Sequence, residues 1–337
     1  MFRPITRAAT FTLTYPEPAM NILAAFLFLI PSLLTGGESV SEAVKLIEAK
    51  DYDGARKKLE SIISSDASSA EARYHLGRLL ANHYRQYDDA EEQLAKAVEL
   101  AASNAEFHFA LGNVYGIQAQ NASIFSKLSY AGKVKDEFLR AVELSPDNVR
   151  YRLALLSYYL MAPGIAGGSV SKAREQGTEL LKRDPYEGHI ALAQIADYDK
   201  ESELAEREFK SAIQEKPGHW RAHHLLGYFY LKLKRADDAI AQFIQYVKCA
   251  PNDPNSYDSL ADGYTAKGET DQALTQYLKA LDVDAAFPSS LYGAATIYDG
   301  RSNKTEALRY YRKYLETTQK GDNAEKAKDR VKELSGN

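Results

Sequence analysis

The sequence has few of the residues that disulfide scaffolds and zinc sites require. It contains one cysteine, Cys249, which cannot form an intramolecular disulfide or supply a thiolate zinc cluster. Its 42 lysines and arginines are outnumbered by 46 aspartates and glutamates, so there is no cationic surplus to neutralise phosphates or anionic lipids. These absences argue against a disulfide framework, nucleic-acid binding and polybasic membrane binding.

The remaining composition is that of an ordinary globular protein. Hydrophobic residues make up 45% and charged residues 26% of the 337 positions, which argues against global disorder and against a protein with many membrane spans. Tyrosine is the unusual residue, with 23 copies against one tryptophan. The length allows one large domain or several of ordinary size.

The N-terminal segment contains an uncharged apolar run of thirteen residues, 22–34. A bilayer span needs about 20 residues, whereas this length suits the apolar region of a signal peptide, with Arg3 and Arg7 as its positive region. Both arginines lie far from the run, and translation could start at Met20, so an uncleaved anchor is one alternative. A buried N-terminal helix of the fold is another, although Pro31 interrupts the run. We expect 1–37 to be a signal peptide or an N-terminal membrane anchor, and the protein to be exported (periplasmic or extracellular) or anchored in the envelope.

The rest of the chain has an internal repeat of 34 residues. Small residues recur with this period, and an aromatic residue follows each by four positions: Ala205 with Phe209, Ala239 with Phe243, Ala273 with Tyr277, and Ala307 with Tyr311. A second small residue, Gly227, recurs as Ala261 and Ala295. Small residues let two helices approach closely, and the aromatic side chain of one helix fills the space beside the small residue of the other. Each repeat is therefore predicted to be a helical hairpin.

One stretch carries a recognisable signature: His223-x2-Leu226-Gly227-x2-Tyr230, then Ala239-x3-Phe243, then Pro251. It resembles the tetratricopeptide repeat, with histidine in the place of the usual tryptophan. The resemblance implies an all-α solenoid, a right-handed superhelix of about eight hairpins, in residues 38–321. Residues 322–337 are predicted to form a capping helix and tail, begun by a capping box of Asp322 and Glu325 and solvated by its basic residues.

Two adjacent repeats are longer than the period, with insertions at 116–133 and 161–171. Both insertions fall between the two helices of a hairpin, so both should emerge on the same edge of the stack. The first should lengthen the second helix of its hairpin, and the second should be a loop because it is rich in glycine. This inserted edge is either a partner-binding site or a tolerated surface insertion. Its candidate residues are Gln118, Gln120, Asn121, Ser126, Lys127, Gly164, Gly167 and Gly168.

Sites for chemistry are weak in this sequence. Residues 164–172 are glycine-rich, but they lack the order of a phosphate-binding P-loop. His219, His223 and His224 lie close enough in sequence to suggest a metal or enzymatic site, although His223 occupies a packing position of the repeat. No catalytic residue, metal or cofactor is predicted, and an enzyme or metal protein built on these histidines is the alternative.

In the tetratricopeptide family, the first helices of successive hairpins line a concave groove that binds peptides. The resemblance therefore implies a non-enzymatic scaffold for protein-protein interaction, and a self-assembling scaffold that forms homo-oligomers is a further alternative. The tyrosines of the groove could instead simply cover neighbouring helices. The implied groove residues are Tyr74, Arg78, Phe109, Asn113, Arg221, His224, Tyr228, Asp258, Asp262, Tyr292 and Asp299.

Overall fold

Seventeen α-helices and no strands follow one another through residues 39–336, the part of the chain that the computed structural model describes. The predicted signal peptide or anchor lies outside the described residues. Within residues 39–336, none of the helices is both long and apolar enough to cross a membrane. The helices are α1 Val40–Glu48, α2 Tyr52–Ser65, α3 Ala70–Leu79, α4 Tyr87–Leu100, α5 Ala105–Asn121, α6 Ile124–Leu144, α7 Val149–Met161, α8 Val170–Arg183, α9 Pro185–Tyr198, α10 Ser202–Glu215, α11 Trp220–Lys232, α12 Ala236–Cys249, α13 Pro254–Lys267, α14 Thr270–Val283, α15 Pro288–Gly300, α16 Lys304–Thr317 and α17 Asp322–Ser335.

The helices pair in sequence order into eight antiparallel hairpins, from hairpin 1 (α1 and α2) to hairpin 8 (α15 and α16). Each helix packs mainly on the helices before and after it, and α17 packs on α16. The predicted all-α solenoid of about eight hairpins with a C-terminal capping helix is confirmed. Such units depend on their neighbours to bury their apolar faces, so the core runs along the stack.

The crossing of the two helices within a hairpin follows the predicted pairing of small and large residues. A methyl group built on Gly227 of α11 would lie 2.3 Å from Cε1 of Phe243, which is fully buried in α12. Gly112 stands in the same relation to Phe138, at 2.6 Å. The glycine therefore lets the aromatic ring lie directly against the facing helix backbone.

Replacing this glycine should overpack the crossing. We expect Gly227→Leu to lower the free energy of unfolding by about 1–3 kcal/mol or more, because the fully packed Phe243 has no space to move into. Urea denaturation followed by circular dichroism measures the change. Gly116→Leu is the matched control, since nothing lies within 4 Å of a methyl group at that helical position. An unchanged midpoint for Gly227→Leu would contradict the assigned crossing.

Hairpins 2 to 4 depart from the regular repeat. Hairpin 2 has one residue more than the regular repeat between the start of α3 and the start of α4. A π-helical turn, Leu80–Tyr84, continues α3 and accommodates this extra residue. In hairpin 3, α5 has 17 residues and α6 has 21, against 14 in helices such as α13 and α14. The insertion therefore extends both helices, although the sequence pattern predicted this only for the second. In hairpin 4, the residues between α7 and α8 form a loop with a short 3₁₀ turn, Gly164–Ala166.

The junction between hairpins 4 and 5 is unusually short. Only Asp184 separates α8 from α9, and it serves both as the C-cap of one helix and as the N-cap of the other. The two helix backbones are therefore held close together. A methyl group on Gly188 would lie 2.3 Å from Cα and 2.4 Å from the backbone nitrogen of Leu181.

The C-terminal helix begins differently from the prediction. Its N-cap is Gly321, with φ of 99°, and no side chain caps it. The Gly321 carbonyl accepts hydrogen bonds from the backbone N–H groups of Ala324 (2.9 Å) and Glu325 (3.1 Å). The predicted capping box of Asp322 and Glu325 is wrong, because the helix begins with Asp322 as its first residue.

Candidate partner-binding surfaces

The first helices of neighbouring hairpins lie closer together than the second helices do. In residues 39–336, α1 contacts α3, α3 contacts α5, α7 contacts α9, and α11 contacts α13, whereas consecutive second helices do not pack to this extent. The first helices therefore form the inner side of the stack. The predicted groove residues all lie on first helices.

A polar pair inside the hairpin replaces the usual tryptophan in five consecutive repeats. In four of these repeats the fourth residue of the first helix is Arg or His, and in α9 the equivalent histidine is the fifth residue. Each of these side chains makes a hydrogen bond to a Gln or Glu of the second helix. The pairs are Arg73–Gln93 (2.9 Å), His108–Glu137 (2.6 Å), Arg152–Gln176 (2.8 Å), His189–Glu208 (2.7 Å) and His223–Gln242 (2.9 Å). The hydrogen bond to Glu137 raises the pKa of His108. These side chains hold the hairpin together, and the sequence reasoning did not identify them as pairs.

The three neighbouring histidines do not converge on one point. His219 caps α11 and shares a hydrogen bond of 2.8 Å with the Tyr186 hydroxyl, whereas His223 is buried in its pair with Gln242. His224 packs against the rings of other aromatic residues. Within the described residues, no group of three or more His, Cys, Asp or Glu side chains is placed to hold a metal ion.

The groove residues of hairpins 2 and 3 form one network with hairpin 4. The Tyr74 hydroxyl donates to Glu106 (2.9 Å) and accepts from Arg78 (3.0 Å). Glu106 also binds Arg150, and the Arg150 guanidinium lies 4.6 Å from the centre of the Phe109 ring. Tyr74 is only 6% exposed, so the prediction that it faces a partner is corrected. The next first helix covers it.

The groove residues of hairpins 6 and 7 also bond across the repeats. The Tyr228 hydroxyl donates to Asp262 (2.9 Å), and Tyr277 donates to the other oxygen of the same carboxylate (2.9 Å). Burial and the Asp262 carboxylate raise the pKa of Tyr228 well above its usual value. Asp258 is fully buried and accepts a 2.8 Å hydrogen bond from Ser290 of α15. Its predicted outward position is therefore wrong, because hairpin 8 covers it.

Two further charged groove residues are occupied by partners within the chain. Arg221 donates to both carboxylate oxygens of Glu187 in the preceding first helix, at 2.7 and 2.8 Å. Asp299 accepts two hydrogen bonds from Arg330 of the capping helix, at 2.7 and 2.8 Å. Arg330 is thus an anchor of the cap, whereas the sequence predicted a solvated residue.

Three of the predicted groove residues have side-chain polar groups that are not used in hydrogen bonds with other described residues. Asn113 is exposed and makes no hydrogen bond with any described residue. His224 is half-buried between Tyr228 and Tyr246, its ring nitrogens have no hydrogen-bond partner among the described residues, and burial lowers its pKa to about 4. Tyr292 is half-buried against Tyr314. These residues could contact a partner without breaking a bond inside the chain.

The predicted residues of the inserted edge differ in their exposure to solvent. Gln120, Asn121, Ser126 and Lys127 are exposed at the tip of hairpin 3. Gln118, in contrast, is only 7% exposed, and its Nε2 donates to Asp88 of α4 (2.9 Å), so it is not the surface residue that was predicted.

The glycines of the inserted edge lie in the loop of hairpin 4. Gly164 is exposed, and Gly167 has a φ of 92°, which favours glycine. A methyl group on Gly168 would lie 1.8 Å from the carbonyl oxygen of Ala162. Gly167 and Gly168 are therefore required by the backbone of the loop itself.

A cleft of about 610 Å³ lies where the tip of hairpin 3 faces the start of α4. Its lining includes Arg85, Asp88, Asp89, Gln118 and Tyr130. The Oε1 atom of Gln118 is buried and has no hydrogen-bond partner among the described residues. Buried acceptors are almost always paired in folded proteins, so this unpaired oxygen is an exception at the edge of the cleft.

Comparison with known proteins supports the assignment of the repeats. One tetratricopeptide-repeat model matches residues 46–113 and 199–262, and a second matches residues 259–324. No curated protein matches the chain. Among 372 matching chains of solved structures is one described as "YrrB: a TPR protein with an unusual peptide-binding site". It has 17% identity and a TM-score of 0.40, over 57% of this chain and 97% of the other. The repeat models together match more than half of the sequence, and the chain belongs to the tetratricopeptide-repeat family.

Proposed function

We propose that this protein is a non-enzymatic scaffold that binds an extended segment of a protein partner along its first helices. The observation that carries the proposal is the row of side chains with unused bonding capacity, Asn113, His224 and Tyr292, on the inner helices. An amide, an imidazole and a phenol suit hydrogen bonding and stacking with a peptide.

The neighbours of these side chains are held in place by bonds between repeats. Tyr228 is fixed by Asp262, and Arg221 by Glu187, so these parts of the surface are ordered before a partner arrives. Ordering in advance reduces the entropy that binding would otherwise lose. This favours recognition of a defined segment.

The non-enzymatic character is also our inference. It is supported by the separate engagement of His219, His223 and His224, since a catalytic site needs its groups within reach of one reacting atom. The tetratricopeptide fold by itself does not decide this point, because function depends on the site.

Position-specific photo-crosslinking in the native host tests the groove. A photoreactive residue is placed at Asn113 or Thr296, which are exposed at the ninth position of the first helices α5 and α15. Matched controls carry it at Glu99 and Asp282, which are exposed on second helices. We expect the same partner to crosslink from both first-helix positions and from neither control.

The double variant Tyr228→Ala, Asp262→Ala should weaken that crosslink, because it removes part of the ordered surface. Partners that crosslink equally from all four positions would contradict the groove proposal. A chain that crosslinks only to its own copies would favour the self-assembling scaffold instead.

We further propose that the protein acts outside the cytoplasm or at the envelope. This rests on the apolar run 22–34 and the charges that precede it. The mass spectra of the crosslinking experiment also contain the N-terminal peptide of the mature chain. Its first residue shows whether the leader is removed, and a chain that keeps the entire segment would support the anchor.

A further inference from the structure

Two junctions near the C-terminus carry an ion pair at the same repeated position. Asp237, the second residue of α12, pairs with Lys267 of the next hairpin at 2.9 Å. Asp271, the second residue of α14, pairs with Arg301 of the next hairpin. Counted from the start of their first helices, Lys267 and Arg301 both occupy position fourteen. The solenoid therefore compensates these two carboxylates internally.

The equivalent position between hairpins 2 and 3 has no cation. Asp88 is the second residue of α4, and the fourteenth residue of α5 is Gln118. Gln118 donates one hydrogen bond to Asp88 and leaves its own Oε1 buried without a partner. A neutral amide thus stands where two other repeats place a positive charge; its oxygen has no donor among the described residues, whereas Asp88 is exposed to solvent.

The surroundings of Gln118 favour a positive group. The neighbouring Asp89 also lines the cleft; it makes no hydrogen bond or ion pair with any described residue, although its charge interacts with that of Arg56. Helix α5 ends here, and the N–H of its C-cap, Ala122, makes no bond back into the helix, unlike the C-caps of the other described helices. The negative end of the α5 dipole is therefore left without a cap. Arg85 is the one cationic side chain among the described residues that line the cleft.

We propose that this cleft takes a lysine or arginine side chain of a protein partner. Its charged group pairs with Asp88 and Asp89 beside the Gln118 amide, at the position where Lys267 pairs with Asp237 in a later junction. This inference rests on the proposed scaffold function and assigns part of the binding to the inserted edge, with a basic residue as the determinant.

Two observations favour a polypeptide over a metal ion as the occupant. Among the described residues that line the cleft, only Asp88 and Asp89 are carboxylates, and the cleft volume of about 610 Å³ far exceeds that of an ion. Outside the cleft lining, Met161 at the end of α7 is 70% exposed, and Ile165 in the loop of hairpin 4, which contacts α6, is 85% exposed. Exposed apolar side chains offer contact area to a protein and none to an ion.

Gln118→Lys tests whether position 118 is equivalent to position 267, where a lysine pairs with Asp237. The new ammonium group should pair with Asp88 inside the chain, so we expect a melting temperature at or above that of the wild type. The reciprocal variant, Lys267→Gln, should lower it only slightly, because the Asp237–Lys267 pair is exposed to solvent. A destabilised Gln118→Lys protein would overturn the assignment of the missing cation.

Binding is tested on the full chain with a phage-displayed library of random peptides. Peptides are selected for binding to the wild type, and those that also bind Gln118→Lys are removed. The remaining peptides therefore need the site beside Asp88 to be free of a cation from the chain itself. We expect the survivors to share a Lys or Arg at one aligned position. A synthetic survivor should lose about tenfold or more in affinity when that residue becomes Ala, or when the protein carries Asp88→Asn.

The outcomes separate this inference from the scaffold proposal. Survivors without a shared basic residue, or peptides that bind Gln118→Lys as well as the wild type, overturn the inference and leave the groove intact. A library that yields no peptide on the wild type contradicts both proposals. A rise in melting temperature with millimolar calcium or magnesium, present in the wild type and absent in Gln118→Lys, would assign the position to a metal ion and overturn the partner side chain.

Discussion

Gly188→Ala is expected to lower the free energy of unfolding by about 3 kcal/mol or more, which is large for the addition of one methyl group. The methyl group would lie 2.3 Å from Cα and 2.4 Å from the backbone nitrogen of Leu181. A crowded side chain can rotate away, but these atoms belong to the backbone of α8. The single connecting residue, Asp184, prevents the two helices from moving apart.

Urea denaturation at equilibrium measures this effect. The matched control is Gly116→Ala, at a helical position where nothing lies within 4 Å of the new methyl group. There we expect a gain of about 0.5–1 kcal/mol, because alanine favours the helix more than glycine does. A Gly188→Ala protein that is as stable as the wild type would show that the α8–α9 junction can open, and would contradict the close approach.

The comparison of Gly227 and Gly188 shows what the sequence can and cannot predict about the fold. Gly227 belongs to a periodic set, so its role at the crossing within a hairpin follows from the pattern. Gly188 falls outside that set, and its role depends on the length of the connection between hairpins. The one sequence signal is the interval from Ala173 to Ala205, which is two residues short of the period. A short interval alone does not say which backbone atoms meet.

The groove shows a similar limit. Helical periodicity places Asp258 and Tyr74 on the outward face of their own helices, but their burial is decided by the neighbouring hairpin. The occupation of Asp299 by Arg330 likewise depends on where the capping helix lies. Periodicity within one helix therefore predicts the inner row, whereas contacts between hairpins decide which members of the row stay available.

The polar pairs within the regular hairpins could have been predicted from the sequence, because their spacing is constant. His189 precedes Glu208 by 19 residues, and His223 precedes Gln242 by the same interval. A search for polar residues at that spacing would have identified the pairs in the regular repeats. In hairpin 3 the insertion lengthens the interval between His108 and Glu137, so the spacing rule fails there.

Acid should destabilise the protein through His224. In the folded state, burial lowers the pKa of this histidine to about 4, whereas an unfolded histidine titrates near 6.5. Between these two values the unfolded chain binds more protons than the folded chain, so stability falls as the pH drops from about 6.5 towards 4. The difference corresponds to about 2–3 kcal/mol, after allowance for the partly exposed ring.

His224→Phe isolates this contribution. Phenylalanine keeps the ring contacts with Tyr228 and Tyr246 and removes the titrating nitrogens, which have no hydrogen-bond partner to lose among the described residues. We expect the variant to lose about 2–3 kcal/mol less than the wild type between neutral pH and pH near 4. His83→Phe, which replaces an exposed histidine, is the control for the substitution itself.

The carboxylates that titrate in the same range are common to all three proteins, so their contribution cancels in the comparison. Equal acid losses in the wild type and His224→Phe would contradict the lowered pKa of the half-buried His224. A smaller loss in the variant would show that this groove histidine stays neutral in the folded protein at physiological pH. It would then meet a partner as an uncharged hydrogen-bonding group, and acidification towards pH 4 would weaken the hairpin and the binding surface together.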